Sequence, residues 1–142
     1  MQERQTLFDA VGGLPVLQRV HKIFYDKVYA HPWLGQFFEG HSQEAIENRQ
    51  TSFMAEKMGG PVEYMGKHPK MAHRHMYITE ELFELRRQLL EDSLREAGVS
   101  DQLSERWLRI DSAFMKNIVK DSIESFYQES FKYERRLIIP KP

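Results

Sequence analysis

The sequence predicts an all-α protein, and three observations carry that reading. Apolar residues recur at helical spacing over long segments, helix breakers divide those segments, and strand signals are scarce. Apolar runs of period two are few, and no Asn-Gly or Asp-Gly hairpin turn occurs. The breakers are Gly12-Gly13, Pro32, Gly40, Gly59-Gly60-Pro61, Gly66, Pro69, Gly98 and Pro140.

Residues 14–30 carry Val16, Val20, Phe24 and Val28 in a strict i+4 series. Residues 42–57 carry Ile46, Gln50 and Phe53 on one face, because four residues turn about 40° past a full circle and seven fall about 20° short. The stretch from 59 to 72 reads as a loop, and such a long loop in a helical domain is often functional. Thr79 caps a helix with Glu80 and Glu81 in its first turn, which packs through Leu82, Leu85 and Leu89 and stops at Gly98. Ser100 caps the longest predicted helix, which uses Trp107, Ile110, Phe114, Ile118 and Phe126 and runs on toward a tail at about 133–142. The tail reads either as loosely ordered chain or as a dimer or partner contact through Leu137, Ile138 and Ile139.

The 142 residues suit one domain, residues 1–142, with a single core. Hydrophobic residues make up 41% and charged residues 29%, with a net charge of −1, so no basic footprint for nucleic acid stands out. No apolar run approaches the ~20 residues of a membrane helix. The N-terminal "MQERQTLFDAVGG" lacks the pattern of a signal peptide, so a cytoplasmic protein is expected. The chain has no cysteine, which excludes disulfides, thiolate metal sites and thioether-linked haem.

Three of the six histidines crowd into "HPKMAHRHMYIT" at 68–79. His73 and His75 point about 200° apart on a helix, so they cannot grip one ion together. Gln50 is an amide in an apolar stripe. It reads as a boundary residue reaching water or as a group with a polar partner nearby. Tyr25, about 100° from Phe24, reads as a packing tyrosine or as a hydroxyl aimed at a partner. A lone histidine is more often solvated or satisfied than a ligand, and no catalytic triad or phosphate-binding loop is present.

Five landmarks in order resemble the truncated haemoglobins, the short globin branch of bacteria, protists and plants, over roughly residues 6 to 120. "LFDAVGG" resembles the opening helix and first glycine site, and "FYDKV" the Phe-Tyr pair of the second helix. Phe38 in "FF" falls thirteen residues after Tyr25, where the family has its pocket phenylalanine. "GGP" at 59–61 resembles the second glycine site, and "EYMGKHPKMAHRHMYIT" the Tyr-x-Gly loop leading to the proximal histidine.

The resemblance implies a two-on-two helical sandwich around non-covalent haem b, here with an extended C-terminal helix and tail. The family's iron ligand stands five residues before an Ile at the head of the next helix, which makes His73 the implied ligand and leaves His75 facing solvent. Phe38 is implied to pack on the haem, Ile46 to hold the distal position, and Tyr25 and Gln50 to point over the iron and to pair with each other. This combination is most like the group-one subfamily. Arg49 is implied to meet a propionate, and Phe24, Phe53, Tyr64 and Met71 to complete the haem-binding set. Arg86 falls where relatives carry an apolar residue or Trp, so the resemblance leaves it as a propionate partner, a sign of a shifted helix, or a mark of an altered pocket.

The implied function is binding of O2, NO or CO with slow O2 release, in support of NO dioxygenation, peroxidase-like chemistry or redox or gas sensing. An unidentified reductase and a monomer or weak homodimer accompany that expectation. Arg86 and the long C-terminus motivate an alternative, a haem-free or altered-pocket globin fold acting as an interaction or regulatory module.

Overall fold

A computed structural model describes residues 5–130 and 136–142. Helices α1 (Leu7–Val11), α2 (Leu14–Ala30), α3 (Gln43–Lys57), α4 (Pro69–Ala72), α5 (Glu80–Glu96), α6 (Asp101–Ser112), α7 (Met115–Ile118) and α8 (Ile123–Glu129) follow in order, with a 3-10 helix at Leu34–Phe38. Their ends follow local chemistry. Side chains of Thr6, Ser42, Thr79, Ser100 and Ser122 each accept a backbone N–H of the helix they open. Gly12 closes α1 at φ 113°, a left-handed conformation that favours glycine.

Helix α2 is the hub. It packs against α3 on one side and α5 on the other, and α5 packs against α6. Helices α2 with α3, and α5 with α6, form the two layers of an all-α, two-on-two helical sandwich. The predicted stripe of α2 is inside, with Val20, Phe24 and Val28 at 2% exposure or less. His21 is buried with it, its Nδ1 2.7 Å from Thr51 Oγ1 on α3 and its ring edge-on to Trp107 of α6. Burial first, and then the Arg86 charge, pushes its pKa down to about 3.

Two elements depart from the sequence expectation. The buried stripe of α5 runs through Leu82, Phe83, Leu90 and Leu94, while Leu85 and Leu89 are only partly buried. This rotation carries Arg86 inward, onto the stripe of Leu82 and Leu90. The single long helix expected after Ser100 is broken into α6, α7 and α8. Val119 adopts an extended conformation, the Lys120 N–H donates to the Ile78 carbonyl at 2.9 Å, and Ser122 caps a new start. Any continuation through 131–135 lies outside the described residues.

The end of the chain docks on its own domain. Leu137 donates its N–H to the His75 carbonyl and accepts the Tyr77 N–H, both at 2.8 Å, making a parallel bridge with Met76. Leu137 and Ile139 pack against the core, and Trp33 Nε1 donates to the Ile139 carbonyl at 2.8 Å. Ile138 alone of the three apolar residues faces out, at 40% exposure. Over 136–142, the chain is thus held by backbone pairing beside the His73 segment rather than lying loose.

Two predictions follow from this packing. His21 stays neutral when folded but takes a proton near pH 6.5 when unfolded, so stability falls as pH drops from 6.5 toward 3. Urea unfolding should show about 2 kcal/mol more loss between pH 7 and 5 in the unsubstituted protein than in His21→Gln; equal losses would contradict the assignment. Leu137→Pro removes the donor to His75 and should cost about 1–3 kcal/mol by the same measurement, with Leu137→Val much closer to the parent. No loss in the proline variant would show that the bridge contributes nothing.

Candidate functional site

The sandwich encloses a cavity of about 530 Å³ between α2, α3, the α4 segment and α5. That size is within the roughly 300–1,000 Å³ of small-molecule and cofactor pockets. Helix α2 contributes Phe24 and Tyr25, the 3-10 helix Phe38, and α3 Ile46, Gln50 and Phe53. Tyr25 packs edge-on against Phe24 and Phe38, with ring centroids 4.8 and 5.9 Å away. Only 5% of Tyr25 is exposed. Burial pushes its pKa up to about 12, against the opposing effect of Arg86, so the phenol keeps its proton.

No hydrogen bond joins Tyr25 to Gln50, and neither side chain is hydrogen-bonded to any described residue. The expected mutual pair is therefore not made. Both residues instead line the cavity with their polar groups unsatisfied by the protein.

His73 stands at the end of α4, a single turn opened by Pro69 and capped by His68, whose Nδ1 accepts the Lys70 N–H at 3.1 Å. Its Nδ1 lies 2.7 Å from the Pro69 carbonyl oxygen. A carbonyl only accepts, so Nδ1 carries the proton and Nε2 keeps a bare lone pair. Burial pushes the imidazole pKa down to about 4, leaving it neutral and ready to ligate.

The approach to His73 is shaped by Tyr64, whose hydroxyl donates to the Lys67 carbonyl at 2.7 Å and whose N–H donates to Glu56 at 2.6 Å. Gly66 lies so close that a Cβ there would sit 2.3 Å from the Tyr64 hydroxyl oxygen. Phe53 packs edge-on against Tyr64 at 5.1 Å. Among the cavity residues, Arg49 and Lys67 are exposed.

Met71 stands apart from the other expected residues. It is 48% exposed, its Sδ faces Arg74, and the cavity wall runs instead through Pro69, Ala72 and His73. His75, expected in solvent, is partly buried and lines the cavity together with His41.

Arg86 donates through Nη1 to Asp111 at 2.7 Å, and its guanidinium lies over the rings of Phe24 and Phe83 at 5.3 and 5.7 Å. Asp111 is 5% exposed and also lines the cavity. Removing one partner from such a pair strands a buried charge, typically at about 3–5 kcal/mol. Asp111 was missed in the sequence, although its place four residues after Trp107 sets a carboxylate on an apolar stripe, the signal that singled out Gln50. Lys67 and Phe83 gave no comparable signal.

These residues fit a flat iron porphyrin. A neutral imidazole presents a fixed lone pair into a largely apolar cavity, aromatic and aliphatic side chains wall it, and Arg49 and Lys67 are available for carboxylate side arms.

Comparison with known proteins agrees. The family model for bacterial-like globins matches residues 6–123. The "Group 1 truncated hemoglobin" of Tetrahymena thermophila is 31% identical over 103 residues, which cover 72% of this chain and 85% of the relative. "Group 1 truncated hemoglobin GlbN" of Mycolicibacterium paratuberculosis is 36% identical, with 72% and 76% covered. The crystal structure of the Tetrahymena pyriformis truncated hemoglobin in its Fe(III) form superimposes with a TM-score of 0.77 at 26% identity, over 82% of this chain and 100% of that one. With this fold, this cavity and these relatives, the chain belongs to the truncated haemoglobins, within the bacterial-like globin family.

Proposed function

We propose that the chain is a haem b protein binding O2, NO and CO at an iron held by His73 Nε2, with Tyr25 and Gln50 as donors to the bound gas. Membership of the truncated haemoglobins implies a haem cofactor and gas binding in general terms. The choice of ligands, donors and chemistry is our reading. It is carried by one observation, a nearly sealed phenol in an apolar cavity with no hydrogen-bond partner among the described residues. An unmet buried polar group costs about 1–3 kcal/mol, which a polar ligand beside Tyr25 would relieve.

When bound, haem would supply an iron able to take an imidazole from the protein and a small gas as ligands. His73 meets the first requirement because the Pro69 carbonyl fixes its tautomer and orientation. Tyr25 holds its proton at every physiological pH, so its hydroxyl remains a donor. The Gln50 amide supplies a second donor from α3. Phe24, Phe38 and Ile46 exclude water around them, which strengthens each hydrogen bond.

Hydrogen bonds to charged groups are worth about 1.5–3 kcal/mol each, so two donors slow O2 release by a factor of roughly 10²–10⁴. Slow release suits consumption of the ligand, such as joining NO with O2 and one electron, drawn in the end from a reductase, to give nitrate, or redox sensing. It does not suit delivery. The partner this reading requires is a reductase, and residues 1–142 act as one globin domain in the cytoplasm.

Tyr25→Phe should raise the O2 dissociation rate at least about tenfold while changing CO release little, because bound CO is less polar. Equal effects on both gases in stopped-flow measurements would show that Tyr25 is not a donor. His73→Ala should abolish hemin uptake or weaken it severely, and an unchanged Soret band in that variant would falsify the ligand assignment. Unsubstituted protein that stays colourless through a hemin titration would favour the haem-free interaction module instead.

A further inference from the structure

We infer that Arg86, held by Asp111 in the cavity wall near Tyr25, makes this an anion-accepting pocket that selects small inorganic anions such as azide, fluoride or nitrite as ligands of the ferric protein. This inference rests on the haem-binding function proposed above.

The pair is asymmetric toward the cavity. The Arg86 side chain keeps 24% exposure and the Asp111 side chain 4%, and both line the same space. The carboxylate is therefore the more covered of the two groups, and the cation the less covered. A guanidinium has five N–H donors, and only Nη1 is engaged in a hydrogen bond among the described residues. Packing over Phe24 and Phe83 holds the plane of the group in place without using those donors.

The field of the pair has the sign its exposure implies. Arg86 lowers the pKa of Tyr25, where its effect exceeds the opposing effect of Asp111. The phenol of Tyr25 has no hydrogen-bond partner among the described residues. An anion entering the cavity would meet a charged donor and a neutral one, whereas a neutral ligand gains little from the charge. Charge-assisted hydrogen bonds are roughly twice as strong as neutral ones, so the preference should be large enough to measure.

The test is equilibrium binding of azide and fluoride to the hemin-loaded ferric protein, followed by absorbance, with neutral imidazole as the reference ligand. The double variant Arg86→Leu/Asp111→Leu removes both charges and leaves neither stranded. It should lower azide affinity relative to imidazole by at least about tenfold. Asp111→Asn, which removes the competing negative charge while leaving an amide oxygen to accept, should raise the same ratio by about threefold or more.

A pair that only braces α5 against α6 predicts something different. Both variants would then shift azide and imidazole together, or Asp111→Asn would weaken azide as the double variant does; either result overturns the proposal. Azide ratios unchanged in a protein that takes up hemin and shows Tyr25-dependent O2 release would overturn this inference alone. Failure of the unsubstituted protein to take up hemin would overturn it together with the proposed function.

Discussion

One hydrogen bond orders the site, that from His73 Nδ1 to the carbonyl of Pro69, which also accepts the His73 backbone N–H at 3.1 Å. A single carbonyl thus fixes both the backbone turn and the imidazole. It can do so because proline opens α4 without a missing N–H being felt, and because His68 caps the turn. Burial then removes the competing protonated state. Without that bond, Nε2 would be one of two interchangeable nitrogens on a rotating ring, and the cavity opposite would have no defined axis.

The same segment is braced from two later parts of the chain. Leu137 pairs with the backbone at 75–77, and Lys120 ties down the Ile78 carbonyl through its N–H and the His73 carbonyl through Nζ at 3.2 Å. On the far side of the cavity, rigidity comes from rings, with Tyr25 wedged between Phe24 and Phe38. The fold spends stability there. It buries a phenol with no hydrogen-bond partner among the described residues, half-buries an amide and encloses an ion pair, all at positions where aliphatic side chains would pack more favourably. That cost is intelligible if the polar groups serve a ligand.

Much of this architecture was legible in the sequence, for physical reasons that can be named. The caps at Thr79 and Ser100 and the stripe of Val20, Phe24 and Val28 depend on local geometry alone, and they stand where the spacing put them. Gln50 was visible because an amide on an apolar stripe breaks the pattern. On α5, Leu85 and Leu89 form an equally good stripe, which local spacing favours because the competing face carries Arg86. Asp111 on another helix reverses that preference, and a pairing between helices has no local signature. The break after Ser112 and the docking of the tail arise likewise from partners far along the chain. Met71 falls outside the cavity because α4 is too short to carry a continuous inward stripe.

The central claim concerns one nitrogen atom, and a crystal structure of the hemin-reconstituted protein tests it most directly. A haem should lie in the cavity with His73 Nε2 on the iron, Nδ1 still donating to Pro69, and Tyr25 and Gln50 on the opposite face. Iron held instead by His75 or His41, or a macrocycle seated outside the cavity, would contradict it.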